Sequence, residues 1–281
     1  DNDRFVRCWN EVSYGKIGLN IKSSGEAISS GKKWFPYNKG GGFRKWYGNN
    51  EFVVDWEEDG YGIKNNFKNG KLRSRPQNID YFFRPSLTWS LISSYEFGVR
   101  VCDDGFLFDV GGSSAFPEED DRFLIAAFLC SKLCSEYMQA LNPSVNMQVG
   151  NVASLPYLKE KISRKAEEIN SLVIEAVKIS RNDWALFETA YEFNISPLIT
   201  RRRKSLAEDF EDYAVESSKR FSRMMLIETK INTIFNSIYN VEAELSAEVE
   251  SRLITLSSNL HYRYKGKLTD VERLVRFRRD S

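Results

Sequence analysis

The uneven distribution of tryptophan and glycine most strongly limits what this chain can fold into. Residues 1–118 hold most of the glycines and five of the six tryptophans, namely Trp9, Trp34, Trp46, Trp56 and Trp89. Short β-rich runs at 51–56 and 105–110 lie between turn-forming clusters such as the three glycines at 40–42. Short strands separated by Gly- and Asn-containing turns are typical of a strand-and-loop domain.

Residues 158–260 show the pattern of long helices instead. Apolar residues recur there at alternating steps of three and four in two series, Ile162, Ala166, Ile169, Val173 and Ala176, and Met224, Ile227, Ile231, Ile234 and Ile238. Each series forms one apolar face of a helix, and such faces pack helix on helix. The run Asn194-Ile195-Ser196-Pro197 interrupts the pattern and allows the chain to reverse.

The segment between these parts, residues 123–158, has its own order. It predicts an apolar helix, a polar turn, a short extended run at Met147–Val149 followed by Gly150, and a Leu-Pro exit into the next helix. We therefore predict an α+β fold, in which a strand-and-loop domain at 1–157 precedes a long-helix hairpin or bundle at 158–281. The end of the second domain, from residue 259, is basic.

Composition excludes several classes of function. The 40 Lys and Arg nearly balance the 39 Asp and Glu, so any attraction for nucleic acid must be local. No apolar run is long enough to predict a membrane span. Four cysteines without a Cys-x-x-Cys pair indicate reduced thiols and a cytoplasmic protein. The single histidine, His261, leaves no His-rich metal site, and we interpret it as structural.

Three motifs that could carry catalysis or cofactor binding depart from the required pattern in spacing or in residue type. Residues 109–114, DVGGSS, fit neither a dinucleotide-binding nor a P-loop pattern, and predict a tight loop beside a strand. Residues 142–145, NPSV, lack the second proline and the aromatic residue of the Asn-Pro-Pro-aromatic loop used for adenine methylation. The acids at 103–104 and 118–121 form no nuclease-like arrangement. The sequence thus predicts no catalytic, cofactor or metal residue in this chain.

Two acid-free loops that mix basic and aromatic residues give the positive signal. They are GKKWFPYNKGGGFRKWY at 31–47 and KNNFKNGKLRSRPQNI at 64–79. Lysines in such loops attract the phosphate backbone, while Arg, Gln and Asn pair with base edges. The predicted DNA-binding residues are Lys32, Lys33, Lys39, Lys45 and Lys71, and, for reading or positioning bases, Arg44, Arg73, Arg75, Gln77 and Asn78. The alternative interpretation, without DNA binding, is that the basic residues are merely solvated and the aromatic residues belong to the core.

Long ordered stretches resemble a known family. They include RFVRCWNEVSYGKIG, KKWFPYNKGGGFRKWYG, LRSRPQN and GFLFDVGGSS within 4–114, and SRNDWALFETAYEF, INTIFNSIYNVEAEL and HYRYKGKL within 180–268. These resemble the C-terminal target-recognition and helical region of BREX-type (PglX-like) adenine-specific DNA methyltransferases, which are related to type IIG restriction-modification enzymes.

The resemblance implies a piece of a larger bacterial or archaeal enzyme that transfers a methyl group from S-adenosylmethionine to adenine N6 in phage defence. It implies that the catalytic domain lies N-terminal to this chain and that further residues follow Ser281. The implied partners are double-stranded DNA, that methyltransferase domain and other BREX components.

Two hypotheses of different classes follow. In the first, residues 1–157 read double-stranded DNA and the helices brace the reader against the catalytic domain. In the alternative, the chain is a protein-interaction module whose helical faces at 162–176 and 224–238 dock other defence components.

Overall fold

The computed structural model describes residues 2–93, 96–142, 144–200 and 205–280, and confirms the α+β fold. Residue 143 of the 142–145 motif lies outside the described residues. The chain forms two compact units. We call residues 1–43, 49–122 and 138–155 the strand-and-loop unit, and residues 44–48, 123–137 and 156–281 the helical unit. Relative to the predicted division after residue 157, the segments 44–48 and 123–137 group with the helices instead.

All described strands lie in the strand-and-loop unit. They are β1 (Val6–Cys8), β2 (Trp34–Asn38), β3 (Phe52–Asp55), β4 (Phe67–Lys68), β5 (Lys71–Leu72), β6 (Ser86–Thr88), β7 (Arg100–Cys102), β8 (Leu107–Phe108) and β9 (Ser114–Ala115). They form a sheet of order β1-β3-β2-β8, a second sheet of order β7-β6-β9, and the β4-β5 hairpin. Only the β2–β8 pair is parallel among these pairings.

Among the described residues, every helix of ten or more residues begins after residue 118, although several short helices lie there too. They are α1 (Asn2–Phe5), α2 (Ser24–Ser29), α3 (Glu57–Lys64), α4 (Glu119–Cys130), α5 (Lys132–Leu141), α6 (Val149–Ala153), α7 (Lys159–Ser163), α8 (Ala166–Trp184), α9 (Pro197–Thr200), α10 (Leu206–Tyr239), α11 (Leu260–Arg263) and α12 (Asp270–Asp280).

Aromatic side chains form the core of the strand-and-loop unit. Phe35, in the register that pairs it with Val54, meets Phe83 edge to face at 5.6 Å between ring centroids. Trp56 and Phe82 make a second edge-to-face pair at 5.0 Å, and all four rings are buried. Such pairs add to the stabilisation from burial alone. The tryptophan-rich half of the sequence thus supplies a compact core beneath short strands.

The two predicted apolar faces are buried inside the helical unit, where α8 contacts α10. Ile169 and Val173 of α8, and Ile227 and Ile231 of α10, are all essentially inaccessible to solvent. α10 begins at a cap, because the Ser205 hydroxyl accepts a hydrogen bond from the Glu208 N–H. The prediction of packed long helices is confirmed for this pair.

The extended run predicted at Met147–Val149 is shorter in the structure. Met147 N–H donates to the Leu91 carbonyl at 2.6 Å, and Asn146 forms an isolated antiparallel bridge with Ile92. Val149 and Gly150 already belong to α6. The extended backbone ends at Gln148, the residue before that helix, which has φ −73° and ψ 152°. The prediction that Val149 is extended was therefore wrong.

Candidate nucleic-acid interface

A tight hairpin presents two lysines at the surface of the strand-and-loop unit. β4 and β5 pair antiparallel around Asn69-Gly70, both of which have positive φ, 52° and 74°. Asn-Gly with positive φ at both positions matches the two-residue turn preferred in hairpins. Lys68 and Lys71 pair across the ladder, and both are exposed.

The segment that follows, residues 73–78, is held by one buried side chain, Asn66. The backbone carbonyl of Asn66 accepts a hydrogen bond from the Arg73 N–H at 2.8 Å. The side-chain Nδ2 of Asn66 donates to Ser74 Oγ at 2.7 Å. Its Oδ1 accepts from Arg4 Nη1 at 3.0 Å. The amide therefore fixes the start of the segment, while the Arg73 and Arg75 side chains stay exposed. Within the described part of the chain, neither guanidinium forms an ion pair.

These residues border a cleft of about 630 Å³ in the same unit. Arg73, Arg75, Gln77 and Asn78 lie along it. An aromatic surface made by the buried Tyr37, Trp56 and Phe82 and the partly buried Phe108 lines it as well. Concave sites that combine an aromatic wall with a few polar groups are typical of ligand-binding surfaces. Four of the predicted base-reading residues, which are within six positions of one another in the sequence, thus lie along one cleft.

The loop at 109–114 also borders the cleft. Asp109 Oδ1 accepts from the Gly111 N–H at 2.8 Å and from the Gly112 N–H at 3.3 Å, which confirms the predicted tight loop. A Cβ on Gly112 would come within 2.1 Å of the Asn38 carbonyl oxygen, so only glycine fits there. Burial first, and the nearby Asp109 carboxylate second, raise the pKa of the Tyr37 hydroxyl. That hydroxyl therefore stays protonated at neutral pH.

An exposed group that the sequence reasoning missed continues the aromatic surface outward. The ring centroids of Phe108 and Phe116 are 5.2 Å apart, and those of Phe116 and Tyr81 are 4.9 Å apart. The Arg84 guanidinium lies over the Tyr81 ring at 5.1 Å and over the Phe116 ring at 5.9 Å. A stacked guanidinium is pre-oriented for a planar or anionic partner. The sequence could have indicated this group through the run DYFFRP at 80–85, which combines an arginine with aromatic residues just outside the basic loops.

The lysines predicted in the first basic loop have neighbours within the chain. Lys32 Nζ donates to the Gly15 carbonyl at 2.6 Å. Lys33 pairs with Asp55 at 3.1 Å and Glu57 at 2.9 Å, contacts that raise the pKa of its ammonium. Lys39 is half-buried, with its ammonium 4.7 Å from the Phe52 ring centroid. These three sites offer less free positive charge than the sequence suggested.

Arg44 and Lys45 are not surface residues. Both are buried, with 4% and 6% of their surface exposed, and both belong to the helical unit. Lys45 Nζ pairs with Glu228, whose other oxygen accepts from Trp46 Nε1 at 2.8 Å. Arg44 donates to Ser257 Oγ at 2.6 Å. The buried position of both side chains argues against the prediction that they contact DNA.

The described residues offer no arrangement for the other kinds of site considered, namely a metal site or a membrane-spanning helix. Among residues 2–93, 96–142, 144–200 and 205–280, no group of three or more His, Cys, Asp or Glu could hold a metal ion. His261 is only partly exposed, and its Nε2 lies 3.7 Å from Asp270. No helix in the described ranges is both long and apolar enough to cross a membrane.

The structure is thus a mixed α+β fold in which two exposed arginines border an aromatic cleft, the candidate nucleic-acid surface. Comparison with known proteins shows which proteins this chain resembles. No protein-family model matches the sequence. The adenine-specific methyltransferase PglX of Lacticaseibacillus casei (strain Zhang) is 36% identical over 264 residues, which cover 91% of this chain and 22% of that protein. The adenine-specific methyltransferase BrxX of Escherichia coli O9:H4 (strain HS) is 33% identical over 283 residues, covering 99% of this chain and 22% of that protein.

The chain is therefore homologous to part of the PglX and BrxX adenine-specific methyltransferases. It spans about a fifth of the length of these relatives, 22% in each case.

Proposed function

We propose that this chain is the specificity region of an adenine-N6 DNA methyltransferase of the BREX type, and that it recognises a sequence in double-stranded DNA. In this proposal, the catalytic residues and the S-adenosylmethionine site belong to the part of the relatives' length that this chain does not span. No described residue is assigned to either.

The observation that carries the proposal is the exposed segment at 73–78. It places two guanidiniums without ion-pair partners among the described residues beside Gln77 and Asn78, along one cleft. Arginine pairs with guanine through two hydrogen bonds, and Gln or Asn pairs with adenine in the same way. Lys68 and Lys71 on the adjoining hairpin add sequence-independent attraction for phosphate.

The alternative, a protein-interaction module that docks through its helical faces, loses its main support. Ile169 and Val173 on one face, and Ile227 and Ile231 on the other, are buried within the helical unit. Side chains that already pack against each other do not form a free docking surface.

Fluorescence anisotropy with short genomic duplexes of the source organism, at roughly 50 and 200 mM salt, tests the proposal. We expect salt-sensitive binding, and we expect Arg75→Ala to weaken the preferred duplex by roughly 1–3 kcal/mol. Arg276→Ala, which removes an exposed arginine from α12 in the helical unit, is the matched control and should bind like the parent chain.

The pattern of loss assigns the role of Arg75. Equal weakening on the preferred and on random duplexes would make Arg75 a phosphate contact instead of a base reader. No weakening would remove it from the interface. Absence of binding at low salt would contradict DNA recognition by this chain alone.

A further inference from the structure

A second cavity, of about 550 Å³, lies within the helical unit, and a buried arginine borders it. Its wall includes Arg44, Phe187, Phe193, Leu198, Tyr262 and Arg263. The volume is within the range of pockets that hold small molecules. Half of the lining residues are apolar or aromatic, and the others include two cations, Arg44 and Arg263, and two acids, Glu188 and Asp280.

The Arg44 guanidinium has donors without acceptors. Its Nη2 donates to Ser257 Oγ at 2.6 Å, but its Nε and Nη1 are buried and have no hydrogen-bond partner in the described structure. Arg44 also forms no ion pair with any described residue. A buried cation that lacks an anion, and buried N–H groups that lack acceptors, are both unfavourable. An anion beside Arg44 would remove both penalties.

Aromatic rings hold this guanidinium in place. Its centre lies 4.7 Å from the Trp184 ring centroid and 5.6 Å from that of Tyr262. Gly48 has a φ of +121°, and a Cβ there would come within 2.6 Å of Arg44 Cδ and 3.0 Å of Trp184. The fold therefore leaves little freedom for the Arg44 side chain to turn towards another acceptor.

The nearby acids are engaged elsewhere or lie at the surface. Asp183 accepts from the backbone N–H groups of Ser257 and Ser258. Asp280 pairs with Arg279 and accepts from the Tyr264 hydroxyl, and these contacts lower the pKa of its carboxyl. Glu188 borders the cavity, but it is exposed to solvent.

We propose that this cavity binds a small organic anion. Its carboxylate or phosphate group pairs with the Arg44 guanidinium, with Arg263 as the second cation of the wall. Its apolar body packs against Phe187, Phe193 and Leu198. This site is independent of the proposed DNA-reading cleft, because every residue in it belongs to the helical unit.

Isothermal titration calorimetry of the chain with four probes tests the proposal. Phenyl phosphate and benzoate carry both an anion and a ring, benzyl alcohol carries only the ring, and inorganic phosphate carries only the anion. We expect phenyl phosphate or benzoate to bind, and benzyl alcohol and inorganic phosphate to bind at least roughly tenfold more weakly. Arg44→Gln should weaken the organic anion by roughly tenfold or more.

Leu198→Trp is the second variant, because it fills the cavity without removing a charge. Leu198→Trp should abolish binding of the organic anion and retain the thermal unfolding transition. If Arg44→Gln does not fold, Leu198→Trp alone tests whether the anion binds in this cavity. No binding of either organic anion, or binding that Leu198→Trp leaves unchanged, would overturn the proposal. Inorganic phosphate binding as tightly as phenyl phosphate would also overturn it, as would displacement of the probe by duplex DNA.

Discussion

Asn66 Nδ2 donates a hydrogen bond to Ser74 Oγ at 2.7 Å, and this contact ties the exposed 73–78 segment to the body of the strand-and-loop unit. Asn66 is buried, whereas Arg73 and Arg75 on the segment it holds are exposed. One polar side chain thus connects the stability of the fold with the placement of the proposed reading residues.

Asn66→Ala removes the hydrogen bonds to Ser74 and Arg4 and leaves the backbone bond to Arg73. We expect a loss of roughly 1–3 kcal/mol in unfolding free energy, because a buried network is broken. We also expect faster amide hydrogen exchange across 73–78 and weaker DNA binding. Urea denaturation, hydrogen exchange and anisotropy measure these three effects.

The matched control for that variant is the adjacent Asn65→Ala. Asn65 is exposed, and its side-chain amide donates to the Tyr61 carbonyl at 3.0 Å, its one hydrogen bond to the described residues. It should leave both exchange across 73–78 and DNA binding unchanged. Equal effects from the two variants would show that Asn66 has no special part in placing the segment.

Glu228 is expected to be a stability determinant of the helical unit. It is 3% exposed, it pairs with the buried Lys45 and it accepts from Trp46 Nε1. Glu228→Gln leaves the Lys45 cation buried without a counter-charge, and we expect a loss of roughly 3–5 kcal/mol in unfolding free energy by urea denaturation. Glu175→Gln, at the exposed Arg223–Glu175 pair, should change stability little. A similar loss from both variants would contradict the buried pair's role.

The raised pKa values of two tyrosines lead us to expect a loss of stability at alkaline pH. Burial, the largest cause in both, raises the pKa of Tyr213 and of Tyr239 to about 12. The neutral hydroxyl is favoured in the folded state, so the stabilisation is complete below the unfolded pKa of about 10 and is lost as pH rises through about 12. Unfolding free energy should therefore fall between about pH 10 and 12.

Tyr239→Phe separates this effect from general alkaline damage. The variant removes the ionising group and its hydrogen bonds with the Pro156 carbonyl and the Leu158 N–H. It should be less stable than the parent chain at pH 7 and should show a shallower decline above about pH 10. An unchanged slope would show that Tyr239 does not contribute to the transition.

The helical packing was predictable because its signal is local. The steps of three and four in 162–176 and 224–238 place buried residues on one helix face each, and the structure buries Ile169, Val173, Ile227 and Ile231 as expected. The Asn69-Gly70 hairpin and the tight loop at Asp109 follow from turn chemistry, which also needs only near neighbours.

The fate of the first basic loop was not predictable in this way. The loop has no acid within 31–47, yet Lys45 pairs with Glu228, 183 positions away in the sequence. Lys33 pairs with Asp55 and Glu57, which the fold brings beside it through β2 and β3. Charge counted along the chain does not reveal partners that only tertiary structure supplies. Among the described residues of the two loops, the arginines that are both exposed and free of ion pairs are Arg73 and Arg75, in the second loop.

Selection of duplex sequences from a random pool tests the central claim most directly. The parent chain is compared with a variant carrying Arg75→Ala and Gln77→Ala, and the bound duplexes are sequenced. If the 73–78 segment reads bases, the parent chain enriches a defined sequence, and the variant loses preference at one or two positions of that sequence while still binding DNA. An identical enriched sequence for both proteins, or no enrichment by the parent chain, would contradict the account.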